Sequence, residues 1–249
     1  MNSFIVLNGK RLKTFLLIIF ISLFTAIFFF SQSTANVSVF SIDHQPKAIF
    51  KGEKGIALTF NIGWGDVKAA EILNVLEKKN VRSATFFLSG AWAERHPDIV
   101  EKIVELGYEI GNLGYAYVDY TEVEDEKVRQ DILKAQKIFK QLGIDNVELL
   151  RPPTGYFDKR VLKIANKLGY TVIHWSINSE DWKNPGIKSI VEKAVKAKNG
   201  DILLLHASDA AKQTAEALPA IIKELQKKGK LVNVSTLIAS GDAKTTLIP

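Results

Sequence analysis

His206 ends the run Asp201–Ser208, DILLLHAS, in which four consecutive apolar residues give way to an ionisable ring. A strand buried on both faces of a parallel sheet reads this way, and such folds keep their chemistry at strand C-termini. An imidazole there suits proton transfer near neutral pH. The chain has three other histidines, His44, His96 and His174, and no two of the four lie within 30 positions. No H-x₃-H pair exists to anchor a metal. Cysteine is absent, which removes disulfides, a lipidated-cysteine anchor, thiolate nucleophiles and zinc–cysteine sites together. His174 lies inside a strand pattern and reads as packing. His96 precedes Pro97 at a helix start and reads as capping or packing.

The elements that would carry these groups are regular from Gly55 onward. GIALTF (55–60), SATFFLS (83–89), YEIGNL (108–113), VELLRP (147–152), TVIHWSI (171–177), DILLLHA (201–207) and KLVNVS (230–235) read as strands. Helical patterns separate them. Val128, Ile132, Ala135, Phe139 and Leu142 recur on one helix face, with Gly143 as the C-cap. Similar spacing follows Asp66, Pro97, Asp158, Ile187 and Ala210. The expectation is an α/β fold, a distorted, incomplete (β/α) barrel or an open sheet of about seven parallel strands. Neither G-x-G-x-x-G nor G-x-x-x-x-G-K-[ST] occurs, so a nucleotide site lacks sequence support.

The strand ends carry TFNIGWGD (59–66), EIGNLGYAY (109–117), RPPTGYF (151–157), NSEDW (178–182) and LLLH (203–206). In this order they resemble the five motifs of the polysaccharide deacetylase (NodB-like, carbohydrate esterase family 4) family. AWAERHPD (91–98) and HWSINSEDWKNPG (174–186) resemble most its sporulation-associated PdaB branch. The resemblance covers about residues 52–240. It implies a distorted (β/α) barrel that removes acetyl groups from N-acetylglucosamine or muramic units. It also implies a divalent metal such as zinc, held by one aspartate and two histidines, with an aspartate as base.

The chain departs from that pattern where the metal would sit. The base position is Asn61, and the three ligand positions are Ile62, Leu113 and Tyr117. An amide takes no proton from water, and isoleucine, leucine and tyrosine are not the ligands this chemistry uses. No metal cofactor is therefore expected. Asp66 and Asp119 lie near the altered positions; they read as a helix cap and a solvated loop residue, with the cleft as the alternative.

The rest of the set is kept. The resemblance makes His206 the general acid, Asp181 the carboxylate that keeps it protonated, and Arg151 the residue that positions the base. Trp182 and Leu204 would line the acyl pocket. Arg151, lacking its carboxylate, is left for Asp181 or for a lactyl or peptide carboxylate of the ligand. Trp64, Tyr115, Tyr117, Tyr156 and Trp182 fall in or beside these loops. With Asn61, they suit the apolar faces and polar edges of sugar rings, or else they pack the barrel rim.

Residues 1–35 differ from the remainder. Lys10, Arg11 and Lys13 precede the uncharged stretch Thr14–Phe30, and Ser33-Thr34-Ala35 resembles a cleavage site. A removed signal peptide and an N-terminal membrane anchor are both consistent with it. Seventeen residues span roughly 25 Å as a helix, slightly short of a bilayer core. Residues 36–54 read as a linker or edge extension, 55–240 as the domain and 241–249 as a tail. No acidic residue precedes Asp43, so the exported part keeps 30 of the 33 Lys and Arg against 27 Asp and Glu. That small excess does not argue for nucleic acid.

The expectation is an exported monomer of the bacterial cell envelope or forespore, contacting the membrane through its N-terminal segment. Its partner is envelope glycan, either peptidoglycan or spore cortex. Three roles fit: a working deacetylase of envelope glycan using a relocated metal or none, a degenerate relative that binds glycan or a partner through the old cleft, or a structural protein of the spore or cell envelope. The altered ligand positions point to impaired or absent activity.

Overall fold

The computed structural model describes residues 13, 17–23, 25, 46–239 and 243–249. Contacts divide the chain into two units, Met1–Ile42 and Asp43–Pro249. In the first, the described residues are helical and exposed. Among the described residues, no helix is long and apolar enough to cross a membrane. Most of the expected export segment lies outside the described residues.

The second unit contains eight parallel strands: β2 (Ile56–Ile62), β3 (Thr85–Leu88), β4 (Glu109–Asn112), β5 (Leu149–Leu150), β6 (Thr171–Val172), β7 (Ile177–Asn178), β8 (Ile202–His206) and β9 (Leu231–Val232). Their order is β6-β5-β4-β3-β2-β8-β7, with β9 branching from β2. The run TVIHWSI, expected as one strand, divides its pairing. Its first half bonds β5 and its second half β8, at opposite ends of the sheet. Four residues join those ends, so the sheet curls round, although its edge strands β6 and β7 do not pair across the seam. This is the expected distorted barrel.

Residues 36–54 and 241–249 were expected as an extension and a tail, yet each contains a strand. β1 (Ala48–Lys51) pairs antiparallel with β10 (Lys244–Thr246). β1 also lies along the seam. Ile49 bridges Ile173, and Lys51 bridges Asp201 with an ion pair of 2.8 Å. KLVNVS is a strand only at Leu231–Val232. Asn233 accepts from Thr236 N at 2.9 Å and starts a short helix instead.

Strand alternation divides the core into two layers. Leu58, Phe60, Ile62, Phe86, Leu88, Leu203 and Leu205 face the helices. Ala57, Phe87, Leu113, Leu149, Ile173 and Ile202 fill the barrel. The outer layer includes α1 (Val67–Lys78), α2 (Gly90–Arg95), α3 (Pro97–Glu105), α4 (Asp125–Gln141), α5 (Lys159–Lys167), α6 (Ile187–Ala194) and α7 (Thr214–Gln226). α4 buries the expected Val128, Ile132, Ala135 and Phe139, and Gly143 follows it at φ 79°.

Candidate active-site cleft

Neighbouring inward residues at the top of the barrel set the site. Register pairs Gly111 with Phe87, Phe87 with Asn61, and Asn61 with His206. A side chain at Gly111 would collide with the Phe87 ring, so glycine is required there. Above this level opens a cleft of about 800 Å³. Its lining includes Asn61, Trp64, Tyr117, Tyr156, Trp182 and His206.

His206 and Asp181 form a fixed pair. His206 Nδ1 lies 2.7 Å from Asp181 Oδ1, and the backbone N–H of His206 donates to Oδ2 at 2.7 Å. Thr214 Oγ1 donates to Oδ2 at 2.7 Å, and Trp182 N to Oδ1 at 3.0 Å. Asp181 is fully buried. Burial pushes its carboxyl up, but hydrogen bonds and charge from His206 and Thr214 outweigh that and hold it below the ordinary range. An ionised carboxylate only accepts, so Nδ1 carries a proton and Nε2 is the imidazole atom left for the cleft. The expected pairing of Asp181 with His206 is present.

Arg151 corrects the expectation. It is fully buried, does not line the cleft and does not pair with Asp181. Its guanidinium donates to Thr59 Oγ1 at 3.0 Å and Asn61 Oδ1 at 2.9 Å through Nη1, and to the His174 carbonyl at 3.2 Å through Nη2. Nε reaches the Ile173 carbonyl at 3.4 Å, and the group lies 4.0 Å over the Phe87 ring. Burial lowers its pKa to about 9, so it is charged at neutral pH. Arg151 holds Asn61, the position the resemblance gives to the base, from beneath the cleft.

Tyr115 is also misplaced by the sequence reading. Its hydroxyl donates to Glu94 at 2.9 Å and Lys134 lies 3.7 Å over its ring, away from the cleft lining. Trp64, Tyr156 and Trp182 are half-exposed at the rim, and Leu204 lies deeper. The wall also contains Asn178 at a strand end, His174, which read as packing, and Trp175 and Ser208, which the motif reading did not single out. Strict alternation from Ile173 cannot predict two adjacent wall residues, because the strand changes partners there. His174 stacks on Trp175 at 3.8 Å and meets Phe157 edge-on. Burial, then the Arg151 charge, lowers its pKa to about 4, so it is neutral.

The remaining candidates lie outside the cleft lining. Asp66 stands at the start of α1 but makes no capping bond; Asp209 caps instead, accepting from Lys68 N at 2.9 Å. Asp119 closes its own turn by accepting from Thr121 N and Oγ1. His96 caps nothing with its side chain and stacks on Trp92.

Comparison with known proteins supports the family resemblance. A polysaccharide deacetylase family model matches residues 50–173. A peptidoglycan-N-acetylglucosamine deacetylase of Bacillus cereus is 39% identical over 191 residues, covering 75% of this chain and 89% of its own length. This chain belongs to the polysaccharide deacetylase family. The peptidoglycan-N-acetylmuramic acid deacetylase PdaA of Bacillus subtilis is 32% identical, covering 71% of this chain and 68% of its own. Among solved structures, BA3943, a CE4 family pseudoenzyme from Bacillus anthracis, superposes with a TM-score of 0.72 at 30% identity. That match covers 78% of this chain and 70% of the other.

The residues do not fit the family's divalent metal. Ile62 is buried in the layer between sheet and helices, and Leu113 in the barrel interior. Tyr117 does face the cleft, but at φ 54° its ring packs over Gly63. Among the described residues, no three His, Cys, Asp or Glu side chains come together, and no Asp or Glu lines the cleft.

Proposed function

We propose that this polysaccharide deacetylase-family protein binds envelope glycan in the inherited cleft with hydrolysis impaired or absent. One observation carries the reading. The cleft is open and rimmed by Trp64, Tyr117, Tyr156 and Trp182, but Asn61 replaces the base and no lining residue is a carboxylate. A polarised amide needs both a base for water and stabilisation of the developing oxyanion, and losing one such stabiliser alone costs ~10²–10³ in rate. In the role the resemblance gives it, the His206–Asp181 pair supplies the proton donor. The aromatic faces supply stacking for sugar rings. The family's peptidoglycan deacetylases and the CE4 pseudoenzyme support both halves of this reading.

The setting we propose is the bacterial envelope, reached through the basic-flanked apolar stretch 14–30, with spore cortex as the specific glycan. Calorimetric titration of the full-length chain with N-acetylglucosamine oligomers and muropeptides tests the idea, alongside acetate release measured with and without added zinc. Binding is expected. Trp182→Ala should weaken it about tenfold through lost stacking, at roughly 1–2 kcal/mol. A chelator should leave it unchanged, and acetate release should be absent. Zinc-dependent turnover, or no binding by any glycan, would overturn the proposal.

A further inference from the structure

We propose that the floor of the cleft is a carboxylate-binding site, with Asn61 Nδ2 and His206 Nε2 as its donors. The orientation of Asn61 follows from Arg151. A guanidinium only donates, so the Asn61 atom 2.9 Å from Arg151 Nη1 is the oxygen, and the amide nitrogen points the other way. Asn61 is 4% exposed and lines the cleft, and its Nδ2 has no protein partner among the described residues. Among the described residues no buried polar side-chain atom is left unsatisfied, so this nitrogen opens to the cleft.

His206 is the register partner of Asn61 on the adjacent strand, so both side chains leave the same face of the sheet. With Nδ1 held by Asp181, Nε2 is its remaining atom, and it donates when the ring carries its second proton.

Charge selects the ligand class. Beneath Asn61 lies the Arg151 guanidinium, whose partners are all neutral oxygens. The one buried carboxylate nearby, Asp181, already accepts four hydrogen bonds. With no Asp or Glu in the lining, oriented donors and a buried positive charge favour an anion. When His206 carries both ring protons, a carboxylate presents an acceptor to each donor, whereas an amide would set its own N–H against one of them. The floor has thereby changed from a place for a cation to a place for an anion.

The carboxylate comes either from the ligand's sugar, as a lactyl ether or uronate, or from free acetate. The sugar-borne case rests on the glycan-binding reading above. The test is calorimetry of the full-length chain with sodium acetate, with an N-acetylglucosaminyl-N-acetylmuramic acid disaccharide, with the methyl ester of that disaccharide, and with neutral chitobiose.

The free acid should bind about tenfold or more tightly than its ester, the usual worth of a charge-assisted hydrogen bond, and acetate should compete with it. Asn61→Asp should abolish the preference, because its carboxylate takes Arg151 and repels the ligand. His206→Gln provides a second variant, and the acid–ester comparison needs neither. Equal binding of acid and ester by the unaltered chain overturns the carboxylate site and leaves glycan binding intact. Acetate binding with no sugar binding keeps the site and removes the glycan reading. Binding of none overturns both.

Discussion

Arg151 is a buried cation held by neutral oxygens, and its removal is informative. Arg151→Met would leave Thr59 Oγ1, Asn61 Oδ1 and the carbonyls of Ile173 and His174 without their shared donor. Unsatisfied buried acceptors cost roughly 1–3 kcal/mol each, offset in part because no buried charge remains to be desolvated. Urea unfolding should show a loss of about 2–4 kcal/mol. Arg151→Lys should not recover it, since an ammonium cannot match a planar fork that serves four acceptors and lies over Phe87. If lysine restored full stability, charge alone would be what the site requires. The resemblance made Arg151 the residue that positions the base, and it does hold Asn61 at that position. That an amide stands where the resemblance expects its carboxylate partner was visible in the sequence; that Arg151 would be sealed beneath that amide was not.

At the scale of elements, two loops from distant parts of the chain are tied together. The turn Gly63–Asp66 carries Trp64 into the rim, and Gly65 adopts φ 80° with the Asp209 side chain against its Cα. Trp92 Nε1 donates to the Gly65 carbonyl at 2.5 Å, and Asp209 caps α1 through Lys68 N. Asp209→Ala should therefore cost about 1 kcal/mol, while Asp66→Ala should have little effect. Hydrogen exchange at residues 63–68 should accelerate in the first variant only. Equal effects of both substitutions would return the capping role to Asp66. Asp158 caps within its own helix start, a pattern local to the segment, but a cap donated across 141 residues leaves no trace in spacing. β1 and β10 escaped for the same reason, being short and paired across almost the whole domain. The long apolar runs β2 and β8 and the periodic α4 were read correctly, because burial on both faces and a 3.6-residue repeat are properties of the segment itself.

For the whole molecule, the decisive joint is the seam between the two edges of the sheet, and His174 sits in it. Its N–H donates to the Ile49 carbonyl at 2.7 Å on β1, its carbonyl accepts from Arg151, and its ring stacks on Trp175. A charge placed on this ring would face Arg151 in a desolvated joint, which is why its pKa falls from 6.5 to about 4. The unfolded chain takes up that proton as pH drops through 6.5, whereas the folded chain resists until about 4. The stabilising contribution is thus complete above pH 6.5 and lost as pH falls to about 4, at most about 3 kcal/mol. Asp181 and Asp201 act in a lower window. Burial raises both, but the partners of Asp181 and the Lys51 contact of Asp201 prevail and lower their pKa values. Their contribution is present above about pH 4, the ordinary carboxylate value, and lost as pH falls through their folded values. Urea titrations at pH 7, 5.5 and 4.5 should show a progressive loss in the unaltered protein. His174→Phe keeps an aromatic ring against Trp175 and has no proton to gain, so it should lose distinctly less over that range. Below pH 4 both proteins should unfold together, because the Lys51–Asp201 clasp across the seam and the Asp181 network are common to them. Parallel loss by both proteins between pH 6.5 and 4.5 would show that the seam does not sense this proton.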